Sequence, residues 1–264
     1  MTQAGPYSTL AAMGVPVGAA IGRHMETAFR LMGQGGCVAN ESKFWRVLTG
    51  EPHPLANLAL LSTPADLATV SAAVEPLIAE AMPAAVVFPG MEVPADVGAY
   101  LVERGFAQHG ALPAMAVDIA SVRETSLPAG YELTRVGAAD RDEWTRQFAN
   151  GYELPLGVAQ CFAPSGSAEE ELPVQFFAVR KNGAIVGTSV CCLKDGVAGI
   201  YCVSTIASER GKGLGGHATA EPLRLAARLG YGVGVLQSSE AGYSVYKQLG
   251  FRDFGGVPIY VRMP

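Results

Sequence analysis

The stretch best suited to chemistry is Arg210-Gly211-Lys212-Gly213-Leu214-Gly215-Gly216, which stands between a strand-like run and a helical one. Glycine adopts the positive φ angles that turn several backbone N–H groups toward one point. The free amides of a helix start, with the positive end of its dipole, then make an anion site suited to phosphate. No Ser, Thr or Asp in this loop can cap the helix, so its amides stay open. A flexible surface turn fits the glycine pattern equally well. The loop is not a Walker motif, because no Gly-Lys-Ser/Thr follows. Nor is it a dinucleotide fingerprint, because the strand before it belongs to an antiparallel meander.

The other chemistry-bearing residues read more plainly. The acidic run Glu169-Glu170-Glu171 and Glu153 could draw a cationic amine, but such residues usually mark a solvated loop. His217 beside the glycine loop reads as an exposed helix position or a phosphate contact. His24, His53 and His109 show no partner pattern. The five cysteines, Cys37, Cys161, Cys191, Cys192 and Cys202, are odd in number and lack metal spacing, so no metal is expected. They read as free thiols in a reducing cytoplasm, three of them in apolar runs as small core residues.

The elements that must position the loop sit in a chain of 264 residues, 49% hydrophobic and 16% charged, with net charge −5. That length suggests two domains and a substantial core. The acidic excess lies in residues 1–125, while residues 126–264 are balanced. Neither half reads as a nucleic-acid or anionic-membrane surface. The apolar stretches at 10–21 and 67–88 are too short or too interrupted to span a bilayer. The Met1–Pro6 start lacks the basic residues of a signal peptide, so a cytoplasmic protein is expected.

Residues 131–136 read as a strand and 138–148 as a helix; 150–172 look irregular. Residues 175–180, 184–193 and 197–205 alternate as strands, joined by the turn sequences Lys181-Asn182-Gly183 and Lys194-Asp195-Gly196. Apolar spacing predicts a helix over 217–229, interrupted by Pro222, which costs about 3 kcal/mol or kinks the helix. A buried strand over 233–237 follows, then a helix over 240–249 ended by Gly250 as its left-handed residue. Residues 251–254 and 259–263 close the chain as strands.

In this order of elements, the loop Arg210–Gly215 and the later run Tyr246-Lys247-Gln248-Leu249-Gly250-Phe251 make the sequence resemble the GNAT N-acetyltransferase superfamily. The loop fits the family's Gln/Arg-x-x-Gly-x-Gly/Ala pyrophosphate motif, and the later run its Tyr-x-x-x-Gly-Phe ending. The resemblance covers about residues 131–264. It implies that the strand before the loop splays from its neighbour and that acetyl-CoA lies in the gap as cosubstrate. Backbone groups of Val203, Ser204 and Thr205 are implied to hold the pantetheine arm and polarise the thioester. Amides of Gly211, Lys212, Gly213, Leu214, Gly215 and Gly216, behind Arg210, are implied to hold the pyrophosphate. Tyr246 is implied to protonate the leaving thiolate; its other reading is a core tyrosine. Tyr243, on an adjacent face, is a weaker candidate. The chemistry is coherent: a neutral amine attacks, an oxyanion forms, and a thiolate leaves.

Three positions depart from the family pattern, the mid-helix Pro222 among them. Ser239 stands where an asparagine is frequent, seven residues before the tyrosine, and is taken with the implied cofactor-binding residues. Val197 stands where a glutamate base is frequent, and Asp195 is the nearest carboxylate.

The first half repeats the second. Ala72, Glu75, Pro76, Leu77 and Ala81 match Ala218, Glu221, Pro222, Leu223 and Ala227. Gly105, Phe106, Gly110 and Pro113 match Gly250, Phe251, Gly255 and Pro258. The mid-helix proline therefore recurs. The first copy opens with a helix around 21–32 and lacks a partner for residues 131–136. Opposite the glycine loop stands Pro64-Ala65-Asp66-Leu67-Ala68-Thr69, where Thr63 reads as the N-cap, Pro64 as the first helical residue, and Asp66 as serving the amides. Opposite Tyr246 stands Leu101. The expected architecture is α/β, an α+β mixed sheet: two GNAT-like domains, each a mostly antiparallel central sheet flanked by helices. Residues 1–120 form a degenerate copy, 121–130 a linker, and 131–264 the catalytic domain. The expected function is transfer of an acetyl group from acetyl-CoA to an unidentified amine. The alternative is a non-catalytic acyl-CoA-binding or regulatory protein. No nucleic acid or membrane partner is expected, and a homo-oligomer is left open.

Overall fold

The computed structural model describes residues 5–33, 37–164 and 173–264. The first half runs α1 (Val17–Met32), β1 (Val38–Asn40), β2 (Phe44–Leu48), β3 (Asn57–Leu61), α2 (Leu67–Ala79), β4 (Ala84–Val87), α3 (Ala95–Glu103) and β5 (Ala107–Asp118). The second runs β6 (Tyr131–Val136), α4 (Arg141–Tyr152), α5 (Leu156–Gln160), β7 (Val174–Lys181), β8 (Ala184–Lys194), β9 (Val197–Thr205), α6 (Leu214–Arg228), β10 (Val233–Gln237), α7 (Glu240–Leu249) and β11 (Arg252–Arg262). From the first helix of each half onward the order is the same, with α5 the one addition. The matched glycines agree in backbone: φ is +85° at Gly105 and +103° at Gly250, +83° at Gly110 and +125° at Gly255. Only glycine takes these angles without a Cβ clash, which is why these positions match in sequence.

The architecture is a mixed α/β sheet with helices on both faces, as the sequence implies. The sheets of the two halves run into one another as eleven strands in the order β1-β2-β3-β4-β11-β5-β10-β9-β8-β7-β6. Each half lends its last strand to the other. β5 pairs antiparallel with β10, from Ala114↔Gln237 to Asp118↔Val233. β11 pairs antiparallel with β4, from Ile259↔Val87 to Arg262↔Ala84. β5 and β11 also pair with each other across the middle.

β8 displays the alternation that separates the two faces. Val190 and Cys192 pack under α1 and α4, while Cys191 and Leu193 pack under α6 and α7. The two turns of the β7–β9 meander carry positive φ at both central residues, +50° and +86° at Asn182-Gly183 and +51° and +79° at Asp195-Gly196. These primed turns match the twist of the strands. α1 crosses the middle of the sheet and buries His24 against β8 and β9. Gly199 admits it, because a Cβ there would stand 2.1 Å from His24 Cε1.

Four local expectations are corrected. Asp66, not Thr63, caps α2, so Pro64 precedes the helix. Asp66 Oδ1 accepts the Thr69 amide at 2.7 Å and so takes the capping place itself. Residues 251–263 carry one strand, β11, whose register shifts between Asp253 and Gly256 instead of breaking. α6 begins at Leu214, three residues before the apolar spacing starts, because Gly213 at φ +77° supplies the cap position. α5 and the end of α4 fall inside the stretch read as irregular. The run Glu169–Glu171 lies outside the described residues.

Candidate active site

β9 and β10 are parallel but pair only at Ala198↔Gly234 and Gly199↔Val235. Beyond Gly199 they separate, and the open edge of β9 faces a cleft of about 870 Å³. Val190 pairs with Tyr201 and Thr188 with Ser204, so one extra residue bulges from β9 between them. Cys202 occupies this bulge at φ +51°. Such an angle on a non-glycine residue is held only by its surroundings. Here Thr188 Oγ1 donates to the Cys202 carbonyl at 2.8 Å. With its proton committed, Thr188 accepts from the Ser204 hydroxyl at 2.7 Å.

The edge past the bulge is the useful one. Ile206 N–H donates to the Val186 carbonyl on β8 at 3.1 Å. Backbone groups alternate along a strand, so the N–H groups of Thr205 and Val203 turn to the open side. The cleft then runs to the glycine loop. Gly211 and Gly213 hold φ of +78° and +77°, and no side chain caps α6. A Cβ at either glycine meets nothing within 4 Å, so their backbone angles, not crowding, explain the residue type.

The loop's long side chains are already engaged. Arg210 Nε donates to the Thr205 carbonyl at 3.2 Å and Nη2 to the Gly151 carbonyl at 3.0 Å. Its guanidinium also lies 3.6 Å from Glu153. It therefore clamps the end of α4 to the end of β9, where Gly151 sits against Ser204; a Cβ at Gly151 would lie 2.6 Å from Ser204 Cβ. Lys212 reaches Glu209 at 2.7 Å and the Tyr131 hydroxyl at 3.2 Å. Glu209 also accepts from Lys181 at 2.8 Å and from Tyr131. These donors, Lys181 first, hold its carboxyl down at about 2. Unlike the other implied residues, Lys212 is absent from the cleft wall; only its backbone belongs to the loop.

Tyr246 stands on the opposite wall, from α7, and is 8% exposed. Burial pushes its phenol up to about 12, against a smaller pull from the Thr219 hydroxyl, so it holds its proton at neutral pH. Ser239 also lines the cleft and caps α7, accepting the Gly242 amide at 3.2 Å. Tyr243 instead donates to Asp253 at 3.0 Å. Asp195 is at the far end of β9 and accepts the Thr27 hydroxyl at 2.6 Å, and Val197 is fully buried. The wall's carboxylates are Glu124, Glu153 and Glu209.

Sequence reasoning did not find the Cys202 bulge, the Arg210 clamp, or the part of Arg123, Glu124 and Thr125 in the wall. Nothing in a cysteine signals a left-handed backbone, and an aperiodic connector carries no pattern. His217 turns toward Thr125, its Nδ1 3.1 Å from the hydroxyl. Among the described residues no cluster of three His, Cys, Asp or Glu side chains is gathered as a metal site, and no helix is long and apolar enough to cross a membrane.

A splayed parallel pair leading to an uncapped glycine-loop helix is the arrangement that the sequence resemblance implies. Residues 140–251 match the model of the acetyltransferase (GNAT) family. That segment is a GNAT-family domain. Over the whole chain the fold is similar to a GCN5-related N-acetyltransferase from Kribbella flavida, at 22% identity and TM-score 0.60, covering 96% of this chain and 97% of that one. A GCN5-related N-acetyltransferase from Sphaerobacter thermophilus matches at 13% identity and TM-score 0.55, over 94% and 93% of the two chains. A tandem GNAT protein from the clavulanic acid biosynthesis pathway matches at 14% and 0.56, over 89% and 86%. At these identities the likenesses establish the fold. No curated protein matches the chain.

Proposed function

We propose that the protein transfers an acetyl group from acetyl-CoA to an amine, by direct attack within a ternary complex, at one site built on residues 131–264. The observation that carries this reading is one continuous cleft. It joins the open edge of β9, the uncapped start of α6 and a protonated tyrosine. Residues 1–120 act as the degenerate supporting copy, and 121–130 connect the two while lining the cleft.

The parts fit the steps of acyl transfer. The pyrophosphate sits on the amides of Gly211 to Gly216, where the α6 dipole favours negative charge. The pantetheine arm lies along β9 beside Val203, Ser204 and Thr205, extending its ladder. An N–H of the bulged edge faces the thioester oxygen and stabilises the oxyanion as it forms. Arg210 and Lys212 contribute through backbone and scaffold, since their side chains bond within the protein. Ser239 shapes the wall by capping α7. When the intermediate collapses, Tyr246 gives its proton to the departing sulfur.

The amine enters neutral. Glu153 is paired with Arg210 and Glu209 is held by two lysines, so of the wall's carboxylates Glu124 remains, and the usual base position at Val197 is a gap. That same gap favours the second reading, an acyl-CoA-binding regulator without turnover. Free-thiol release from acetyl-CoA across a panel of small amines, amino acids and peptide N-termini separates the two. Amine-dependent release supports transfer. Tight acetyl-CoA binding with no release for any acceptor supports the regulator.

A further inference from the structure

We infer that Cys37 and Cys161 form a reversible disulfide that ties the first repeat to the α4–α5 segment beside the cleft. Their Sγ atoms lie 2.9 Å apart although the residues are 124 apart in sequence. A disulfide bond is about 2.05 Å long, so the sulfurs must close by less than about 1 Å. Phe162, next to Cys161, packs 5.9 Å from Trp45 and 5.6 Å from Phe29, ring centre to ring centre. The two segments are thus already held together by an aromatic cluster that needs no covalent bond.

The remaining cysteines offer no such pairing. Cys191 and Cys192 are neighbours on β8 and point to opposite faces of the sheet, into different core clusters. Cys202, half-buried in the β9 bulge, has no second cysteine sulfur beside it among the described residues. Cys37 is likewise half-buried, just before β1, and open to a small oxidant. Cys161 ends α5 at 4% exposure, with its Sγ 3.4 Å from the Gly157 carbonyl. Burial first, and then the Cys37 sulfur, push Cys161 up to about 12, so it waits as a thiol.

The oxidant is a peroxide. Hydrogen peroxide oxidises the Cys37 thiol to a sulfenic acid and is reduced to one water. The Cys161 sulfur then attacks the Cys37 sulfur; the S–S bond forms, the S–O bond breaks, and hydroxide leaves with the Cys161 proton as a second water. Two thiols and one peroxide give one disulfide and two waters. A thiol reductant reverses the bond. Tyr152 and Glu153, which line the cleft, immediately precede α5, so the bond anchors that wall to the first repeat. This inference does not depend on the acyl-transfer reading.

The test treats the reduced, full-length protein with hydrogen peroxide, alkylates it under denaturing conditions with iodoacetamide, and maps it without reduction. The expected result is a peptide pair joined through Cys37 and Cys161, with Cys191, Cys192 and Cys202 alkylated, and full recovery of five alkylated cysteines after dithiothreitol. The thermal midpoint should rise on oxidation in the wild type and stay unmoved in Cys37→Ser. Cys37 lies at the half-exposed end, so that variant keeps the buried thiol in place. Accumulation of Cys37 sulfenic or sulfinic acid with Cys161 still alkylated, or linkage through another cysteine, overturns the inference.

Discussion

The hydroxyl of Tyr201 on β9 donates to Nδ1 of His24 on α1 at 2.8 Å, and His24 Nε2 donates to the Cys192 carbonyl at 3.1 Å. Both partners belong to the second half of the chain, and Tyr201 immediately precedes the Cys202 bulge. The imidazole is wholly buried and therefore neutral, with its proton on Nε2. A helix of the first repeat thus holds the strand that forms the cleft edge of the second.

Stability should fall in mild acid because of this residue. Burial lowers His24 from 6.5 to about 4, with the Asp195 carboxylate pulling weakly the other way. The unfolded chain takes a proton below its ordinary value, while the folded chain resists until about 4. The contribution of the neutral imidazole is complete above pH 6.5 and is lost as the pH falls through that window, by about 3 kcal/mol. Urea unfolding between pH 7.5 and 4.5 should show this loss in the wild type and a shallower slope in His24→Gln. Equal slopes in both would remove His24 from the account.

Gly213→Val should abolish most acetyl-CoA binding while leaving the fold intact. A β-branched residue strains φ +77° by about 1–3 kcal/mol and moves the loop amides, yet its side chain has open space. Isothermal calorimetry reads the affinity and circular dichroism the fold. Wild-type affinity would show that the loop does not hold the ligand.

Tyr246→Phe should lower turnover by ~10²–10⁴, the range of a positioned general acid, with acetyl-CoA affinity nearly unchanged. The substitution removes one hydroxyl from a packed site and keeps the ring against Phe251. Thiol release at saturating donor measures it, and wild-type turnover would return Tyr246 to the core.

One acetyl-CoA should bind per chain. Asp66 occupies the α2 amides with its own carboxylate, and Leu101 stands where Tyr246 does in the second half. Burial-independent bonds from Thr69 and Lys43 hold that carboxyl down at about 2, so it stays charged where a pyrophosphate would lie. Titration followed by calorimetry should saturate at one equivalent. A second equivalent in the wild type that Asp66→Arg strengthens would make the first repeat a binding domain.

Glycines, hairpin turns and the end of α7 at Gly250 were legible because each is a local demand of the backbone. Asn182-Gly183, Asp195-Gly196, Gly213 and Gly250 all sit at positive φ, which few residue types accept, so the residue type reveals the conformation. The repeat was legible for the same reason, through Gly105 and Gly110. The loop stood out by its glycines between a strand and a helix, whereas Tyr246 became a candidate through the resemblance of the Tyr246–Phe251 run to the family's ending. The tertiary structure alone decided which strand pairs with which. β5 and β11 have equivalent patterns, and either could complete its own half; exchanging them satisfies the same hydrogen bonds and additionally joins the two sheets. It alone decided the left-handed turn at Cys202, because Thr188 and Ser204, distant in sequence, hold an angle that cysteine does not prefer. The Arg210 clamp on Gly151 and the His24 bond to Tyr201 belong with these, since each joins groups that only packing brings within hydrogen-bond reach.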